Sequence, residues 1–239
     1  NMEGVKINVN ADDKIQFRGN NATYGTSSSY YSTFSGSTAG FEIEGSIMSL
    51  INSTRFVTAT TLDSAYTFSY LFNGCTGLTS AKNLILPATT LAERCYYEMF
   101  QGCTSLTTAP ELPATTLADS CYYYMFNGCS SLKTAPELPA TKLADYCYYQ
   151  MFQGCSSLTT APELPAATLV KWCYNRMFNG CSSLTTAPEL PATTLAPYCY
   201  GSMFEGCSSL KTAPKLPATT LANSCYSYMF YGCTSLTTA

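Results

Sequence analysis

LADSCYYYMFNGC, residues 117–129, is the stretch on which the reading of this 239-residue chain turns. It returns every 26 residues. Cys95, Cys121, Cys147, Cys173, Cys199 and Cys225 each stand four residues before a Met-Phe pair, and Cys103, Cys129, Cys155, Cys181, Cys207 and Cys233 each follow the Phe by three. Between copies runs SLTTAPELPATTL with minor changes. Self-similarity at a fixed period of this length is the mark of a stacked repeat. Leu71-Phe72-Asn73-Gly74-Cys75 is a divergent first copy, which makes seven. The chain divides into residues 1–56, outside the repeat, and residues 57–239, the repeat itself.

Within one copy, Leu117, Ala118, Cys121, Tyr122, Met125 and Phe126 follow the rhythm of one helix face. Pro197 takes the place of Asp119 in its copy and suits the first turn of a helix. Gly128 supplies a left-handed stop. The spacing predicts a helix of about ten residues, about 15 Å long. After it, Pro110 and Pro113 confine strand pairing to the neighbourhood of Thr107, Thr108 and Ala109. One very short parallel strand per coil is expected, followed by an extended return. Lys133 and Lys211 stand where Thr107 does, so that position faces water. Strands stack at about 4.8 Å and helices at about 8–10 Å. Such coils form a horseshoe, with strands inside and helices outside.

Residues 1–56 read as a β-rich cap for the apolar end of the stack, or as a small β domain with its own binding role. Val5-Lys6-Ile7-Asn8-Val9 and Ile15-Gln16-Phe17-Arg18 alternate about a turn at Asn10-Ala11-Asp12-Asp13, a predicted hairpin. Residues 19–40 read as loops or edge strands. Phe41-Glu42-Ile43-Glu44-Gly45 is a further short strand, and residues 46–51 a helical turn. The last copy breaks off at Ala239, so either further repeats follow or the final coil stays bare.

Charged residues are only 11% of the chain and the net charge is −3, with no basic stripe for nucleic acid. No run approaches eighteen apolar residues. The chain opens at Asn1 without an export segment, which leaves export open on sequence alone. Thirteen cysteines are an odd number, and equivalent residues in a stack point the same way, the wrong geometry for a disulfide. The favoured reading is reduced, buried thiols, against some cross-coil disulfides. With no His, and with thiols that burial renders inert, no catalytic residue, cofactor or metal site is expected. Asp12-Asp13 is a commonplace turn pair rather than a calcium site.

The repeat closely resembles the BspA-type leucine-rich repeat family of anaerobic gut and oral bacteria. The carrying residues are Met-Phe-Xaa-Gly-Cys-Ser-Ser-Leu-Xaa-Thr-Ala, as at residues 151–161, beside that family's AF-xx-C-xx-L-xx-I-x-(I/L)P pattern. The copies depart from it in length, 26 against the usual 23, and in Ala109 where Ile is usual. The resemblance implies an α/β repeat, a right-handed leucine-rich-repeat solenoid with short parallel strands inside, short helices outside and an N-terminal β-rich cap. It implies export to a bacterial cell surface and a non-catalytic adhesin that binds a host protein or glycan. A structural spacer presenting another domain is the alternative.

Two sets of residues are candidates for contact. Glu111, Glu137, Glu163 and Glu189 recur once per coil, with Lys215 breaking the series. They form either an acidic row for a cation or basic partner, or a screened, solvated edge. Tyr123, Tyr124, Tyr146, Tyr149, Tyr198, Tyr228 and Tyr231 join Trp172 on the outer face. They are either scattered surface rings or a surface for sugars or a protein. Tyr96, Tyr122, Tyr148, Tyr174, Tyr200 and Tyr226 are expected in the core, each hydroxyl reaching a backbone group.

Overall fold

The computed structural model describes residues 7–8, 10, 12–34 and 38–238. Val5, Lys6, Val9 and Ala11 of the predicted hairpin lie outside them, and Ile15-Gln16-Phe17-Arg18 carries no strand. The described elements are β1 (Gly25–Ser27), β2 (Tyr30–Tyr31), β3 (Phe41–Ser46), a 3-10 turn (Ile47–Leu50) and β4 (Leu78–Ile85). β1 and β2 pair antiparallel, and β3 pairs parallel with β4 through two register shifts. The third alternation and the helical turn stand where the sequence put them.

The helices do not. Among the described residues no coil contains an α-helix. In residues 118–128 the amides instead divide their work by parity. Even-numbered ones reach the next coil: Ser120 N–H donates to Asp145 C=O, Tyr122 to Cys147, Tyr124 to Tyr149, Phe126 to Met151 and Gly128 to Gln153, at 2.7–3.1 Å. Odd-numbered ones fold back three residues: Cys121 N–H to Ala118 C=O, Tyr123 to Ser120, Met125 to Tyr122 and Asn127 to Tyr124, at 3.0–3.2 Å. From Ser120 to Gly128 every backbone donor is thereby used, five of the nine between coils, which a helix cannot do.

The geometry requires a left-handed residue every fourth position: Ser120 (φ 54), Tyr124 (φ 55) and Gly128 (φ 74). Gly128 therefore has the backbone expected of it, but in a chain of turns rather than at a helix end. Left-handed backbone costs about 1–2 kcal/mol for a residue with a Cβ. Among the described residues, none of the fourteen non-glycine residues held there in the coils, from Tyr66 to Tyr228, is β-branched. Pro197 also finds its reason here. The amide at its position takes no part in the ladder; at Asp145 and Lys171 it donates to the Oδ1 of Asp119 and Asp145 at 3.1 Å. Lys171 offers no acceptor to the coil above, and Pro197 offers no donor.

On the other side of the coil, parallel bridges join Thr108 to Thr134, Thr134 to Thr160 and Thr160 to Thr186, at the pairing site the prolines allow. A second set, Thr116 to Lys142 and Thr168 to Thr194, was not foreseen. The Thr107 position is exposed in coil after coil, as expected. With no helix in the described coils, the wide side expected to bend them into a horseshoe is missing. Core rings of successive coils stack at 5.4–6.0 Å, nearer the parallel-strand step of about 4.8 Å than the spacing of packed helices.

The interior consists of columns. Phe72, Phe100, Phe126, Phe152, Phe178, Phe204 and Phe230 stack with interplanar angles of 2–10°. The column continues into the N-terminal segment through Phe34, 5.4 Å from Phe72, and ends where Phe17 turns 65° against Phe34. Tyr24 and Phe34 also donate backbone N–H groups to Thr67 and Leu71 at 2.7 Å, as one coil donates to the next. Phe68, Tyr96, Tyr122, Tyr148, Tyr174, Tyr200 and Tyr226 form a second column at 5.7–6.0 Å. The hydroxyls of Tyr96, Tyr174 and Tyr226 are buried without a hydrogen-bond partner, contrary to the expected backbone contact.

The cysteines are free thiols, all buried except the half-buried Cys233. The second Cys of each copy answers a particular need. Cys129 Sγ donates to Phe100 C=O at 3.1 Å, and Cys155, Cys181 and Cys207 repeat the bond one coil further on. Burial pushes Cys75 and Cys199 up to about 11 and Cys95, Cys103 and Cys207 up to about 12. An unfolded thiol ionises near pH 8.5. The folded chain thus holds protons that the unfolded chain releases as pH rises.

Two outcomes follow. Thermal unfolding is expected to be independent of these thiols below about pH 8, with stability falling progressively as pH rises towards 11–12. Each thiol removes up to about 1.4 kcal/mol per pH unit across that window. Phe152→Ala is expected to cost about 3–5 kcal/mol in urea unfolding, against less than about 0.5 kcal/mol for the exposed Thr185→Ala.

Candidate binding surface

The positions of residues 94, 97 and 98 and their equivalents form the outer wall, where large side chains reach solvent and the smaller Ser120, Gln150, Asn175 and Ser202 are covered. The inward positions hardly change from copy to copy, whereas these vary freely. Their variation is not scattered. At the position of residue 97 the coils carry Tyr97, Tyr123 and Tyr149, then Asn175, Gly201 and Ser227; at that of residue 94 they carry Arg94 and Ser120, then Tyr146, Trp172 and Tyr198.

In-register stacking turns these into two short columns. Tyr123 lies 4.7 Å from both Tyr97 and Tyr149, at 7° and 17°. Trp172 lies 5.9 Å from Tyr146 and 4.2 Å from Tyr198, both at 8°. The columns meet edge-on, Tyr149 to Tyr146 at 5.8 Å and to Trp172 at 6.0 Å. Tyr124 stands across Tyr123 at 4.5 Å and 65°. The result is one diagonal stripe of rings across several coils, from Tyr97 to Tyr198. Arg94 closes its lower end, over the rings of Tyr66 at 5.3 Å and Tyr97 at 6.0 Å, with its Nη1 donating to the Tyr66 hydroxyl.

Most of the stripe is half-buried, and its rings are held by one another and by the ladder beneath. Burial, and then the neighbouring Glu98 carboxylate, push the Tyr70 phenol up to about 12 and the Tyr97 phenol higher. Burial likewise raises the Glu98 carboxyl. The Tyr70 and Tyr97 phenols are therefore neutral donors at physiological pH. Because the inner rings cover one another's faces, the stripe offers edges and hydroxyls to solvent rather than open faces.

The structure joins six of the aromatic residues singled out in the sequence, Tyr123, Tyr124, Tyr146, Tyr149, Trp172 and Tyr198. Tyr228 and Tyr231 stand apart, paired perpendicular to each other at 6.2 Å. Tyr97 and Arg94 belong to the surface and were not singled out; comparing the same position from copy to copy reveals Tyr97. Glu111, Glu137, Glu163 and Glu189 lie on the extended segment between the two sets of threonine bridges, all exposed. The ion pairs found among the described residues, Lys14–Glu44 and Glu93–Arg94, involve none of them.

The stripe rides on left-handed backbone, which gives a test at Tyr124. Tyr124→Val and Tyr124→Asn both remove the ring, but only Val places a branched Cβ at φ 55. Tyr124→Val is expected to be the less stable by about 1–2 kcal/mol in chemical denaturation.

Among solved structures, the chain is similar to a leucine-rich repeat protein of T. pallidum, at 19% identity and a TM-score of 0.39, over 90% of this chain and 77% of that one. A leucine-rich repeat protein from Bacteroides ovatus is similar at 16% identity and 0.23, over 75% and 63%. A leucine rich cell surface protein from Faecalibacterium prausnitzii is similar at 15% identity and 0.18, over 71% and 74%. No curated protein sequence matches. Residues 52–185 and 140–239 match the BspA type leucine rich repeat region, in six copies. On that match across the whole repeat array, the chain belongs to the BspA-type leucine-rich repeat family.

Proposed function

We propose that this chain is a non-catalytic adhesin, exported to a bacterial cell surface, and that the aromatic stripe is where it meets its partner. Family membership supports the coarser statement, a binding or structural surface module built from repeats. The observation that carries the finer one is the stripe itself: aromatic side chains collected at freely varying positions of adjacent coils, where scattered rings would have been the ordinary outcome. Tyr, Trp and Arg dominate the energetics of recognition. Rings already fixed by their neighbours lose little entropy on binding. With the inner faces covered, sugars have few rings to stack on, so a protein partner fits better than a glycan.

The acidic row Glu111, Glu137, Glu163 and Glu189 is proposed as a second contact, suited to a basic segment of such a partner, since its carboxylates are exposed and outside the ion pairs described above. Residues 1–56 are proposed as the cap of the array, since they continue its columns and ladder. The continuous ladder also suits a rigid spacer, which would need no stripe.

An array of glycans and extracellular-matrix proteins, probed with the purified chain, tests the reading. Protein spots are expected to bind, and Tyr149→Ala with Trp172→Ala is expected to weaken that binding at least about tenfold, or about 1.4 kcal/mol. Glu137→Lys with Glu163→Lys is expected to weaken it less. Binding indifferent to the aromatic pair would refute the stripe as contact, and absence of binding throughout would leave the spacer.

A further inference from the structure

The stacked phenols of the outer wall have a chemical property that binding does not use. Tyr123 has three phenol neighbours within 4.7 Å, namely Tyr97, Tyr149 and Tyr124, all half-buried and so open to solvent. The core tyrosines also stack, but at 5.7–5.8 Å and out of reach of solvent. The most exposed tyrosines, Tyr30, Tyr228 and Tyr231, have no such stack; Tyr228 and Tyr231 meet perpendicular to each other at 6.2 Å. Tyr31 stacks 4.1 Å from Tyr70, but Tyr70 is buried, so access for both partners and register coincide around Tyr123.

We propose that Tyr123 and Tyr149 form an oxidative cross-linking site, at which a haem peroxidase with hydrogen peroxide joins the two rings into an intramolecular dityrosine. Each phenol gives up one electron and its phenolic proton, leaving a radical shared between oxygen and the ortho carbons. Two such radicals couple by a carbon–carbon bond between ortho carbons, and the displaced ring hydrogens move through solvent to the oxygens, restoring both phenols. The two electrons and two protons reduce the peroxide, whose O–O bond breaks to give two waters. Tyr97 is the alternative partner for Tyr123 on the opposite side, and Glu98 beside it is a nearby acceptor for its proton. The inter-coil bond from Tyr124 N–H to Tyr149 C=O holds the two coils in register next to the reacting rings. The product covalently staples successive coils on the face where the ladder holds them.

The test is treatment of the dilute native chain with hydrogen peroxide and horseradish peroxidase. The expected result is dityrosine fluorescence in a product that remains monomeric, with a mass lower by two hydrogens per link. Peptide mapping is expected to place the main link between Tyr123 and Tyr149, whose peptides separate by cleavage after Lys133 and Lys142. Tyr123→Phe keeps the ring stack but cannot form the radical, and is expected to lower the fluorescence several-fold. The stapled protein is expected to unfold at a higher temperature than the untreated one. Links mapped mainly to Tyr30, Tyr228 or Tyr231 in covalent dimers would show that exposure alone governs the chemistry, and would overturn the proposal. So would full fluorescence yield in Tyr123→Phe.

Discussion

The hydrogen bonds that run from one coil to the next through residues 118–128 and their equivalents constrain everything else in this structure. Each takes an amide that a helix would have used within the coil and gives it to the neighbour. The rise of the stack is thereby tied to the reach of a backbone hydrogen bond on the wall as well as on the threonine side. Identical side chains then lie face to face, and the ring columns, the thiol-to-carbonyl bonds and the amide contacts such as Asn127 to Gln153 all follow from that one step.

The arrangement has a cost and a return. Two residues per coil with a Cβ sit in left-handed backbone, at about 1–2 kcal/mol each. Against this, each of the five coils from Cys95 to Leu210 buries a Cys, Tyr, Met, Phe, Cys and Leu completely, and large apolar side chains contribute about 1.5–3 kcal/mol apiece. The interior is uniform from coil to coil, so selection has been free to vary only what the wall presents. The aromatic stripe lies on that variable surface. The proposed binding and the proposed oxidative stapling both draw on the same in-register rings.

The sequence announced the stack and its contents plainly. Cys121, Tyr122, Met125, Phe126 and Cys129 are all fully buried, as their repetition required. The conformation carrying them was harder to see, because a chain of four-residue turns and a helix give similar patterns over a short window. The distinguishing signal was present. Leu117, Cys121, Met125 and Cys129 advance by strict fours, and at 3.6 residues per turn the last would lie about 120° around a helix from the first. Pro197 fitted a helix's first turn as well as an unused ladder amide, so it could not decide between them. The stripe was invisible for another reason: Tyr149 and Trp172 are 23 positions apart, and only the register of the stack brings their rings to 6.0 Å. The unpartnered hydroxyls of Tyr96 and Tyr174 depend on atomic detail that no spacing encodes.

Whether coils are joined by a backbone ladder or merely packed through helices is the question on which this description stands. Far-ultraviolet circular dichroism of the folded chain addresses it directly, since about ten helical residues in each of seven coils would dominate the spectrum. The ladder predicts a spectrum without the paired minima of α-helix. A strongly helical spectrum from the native protein would contradict it.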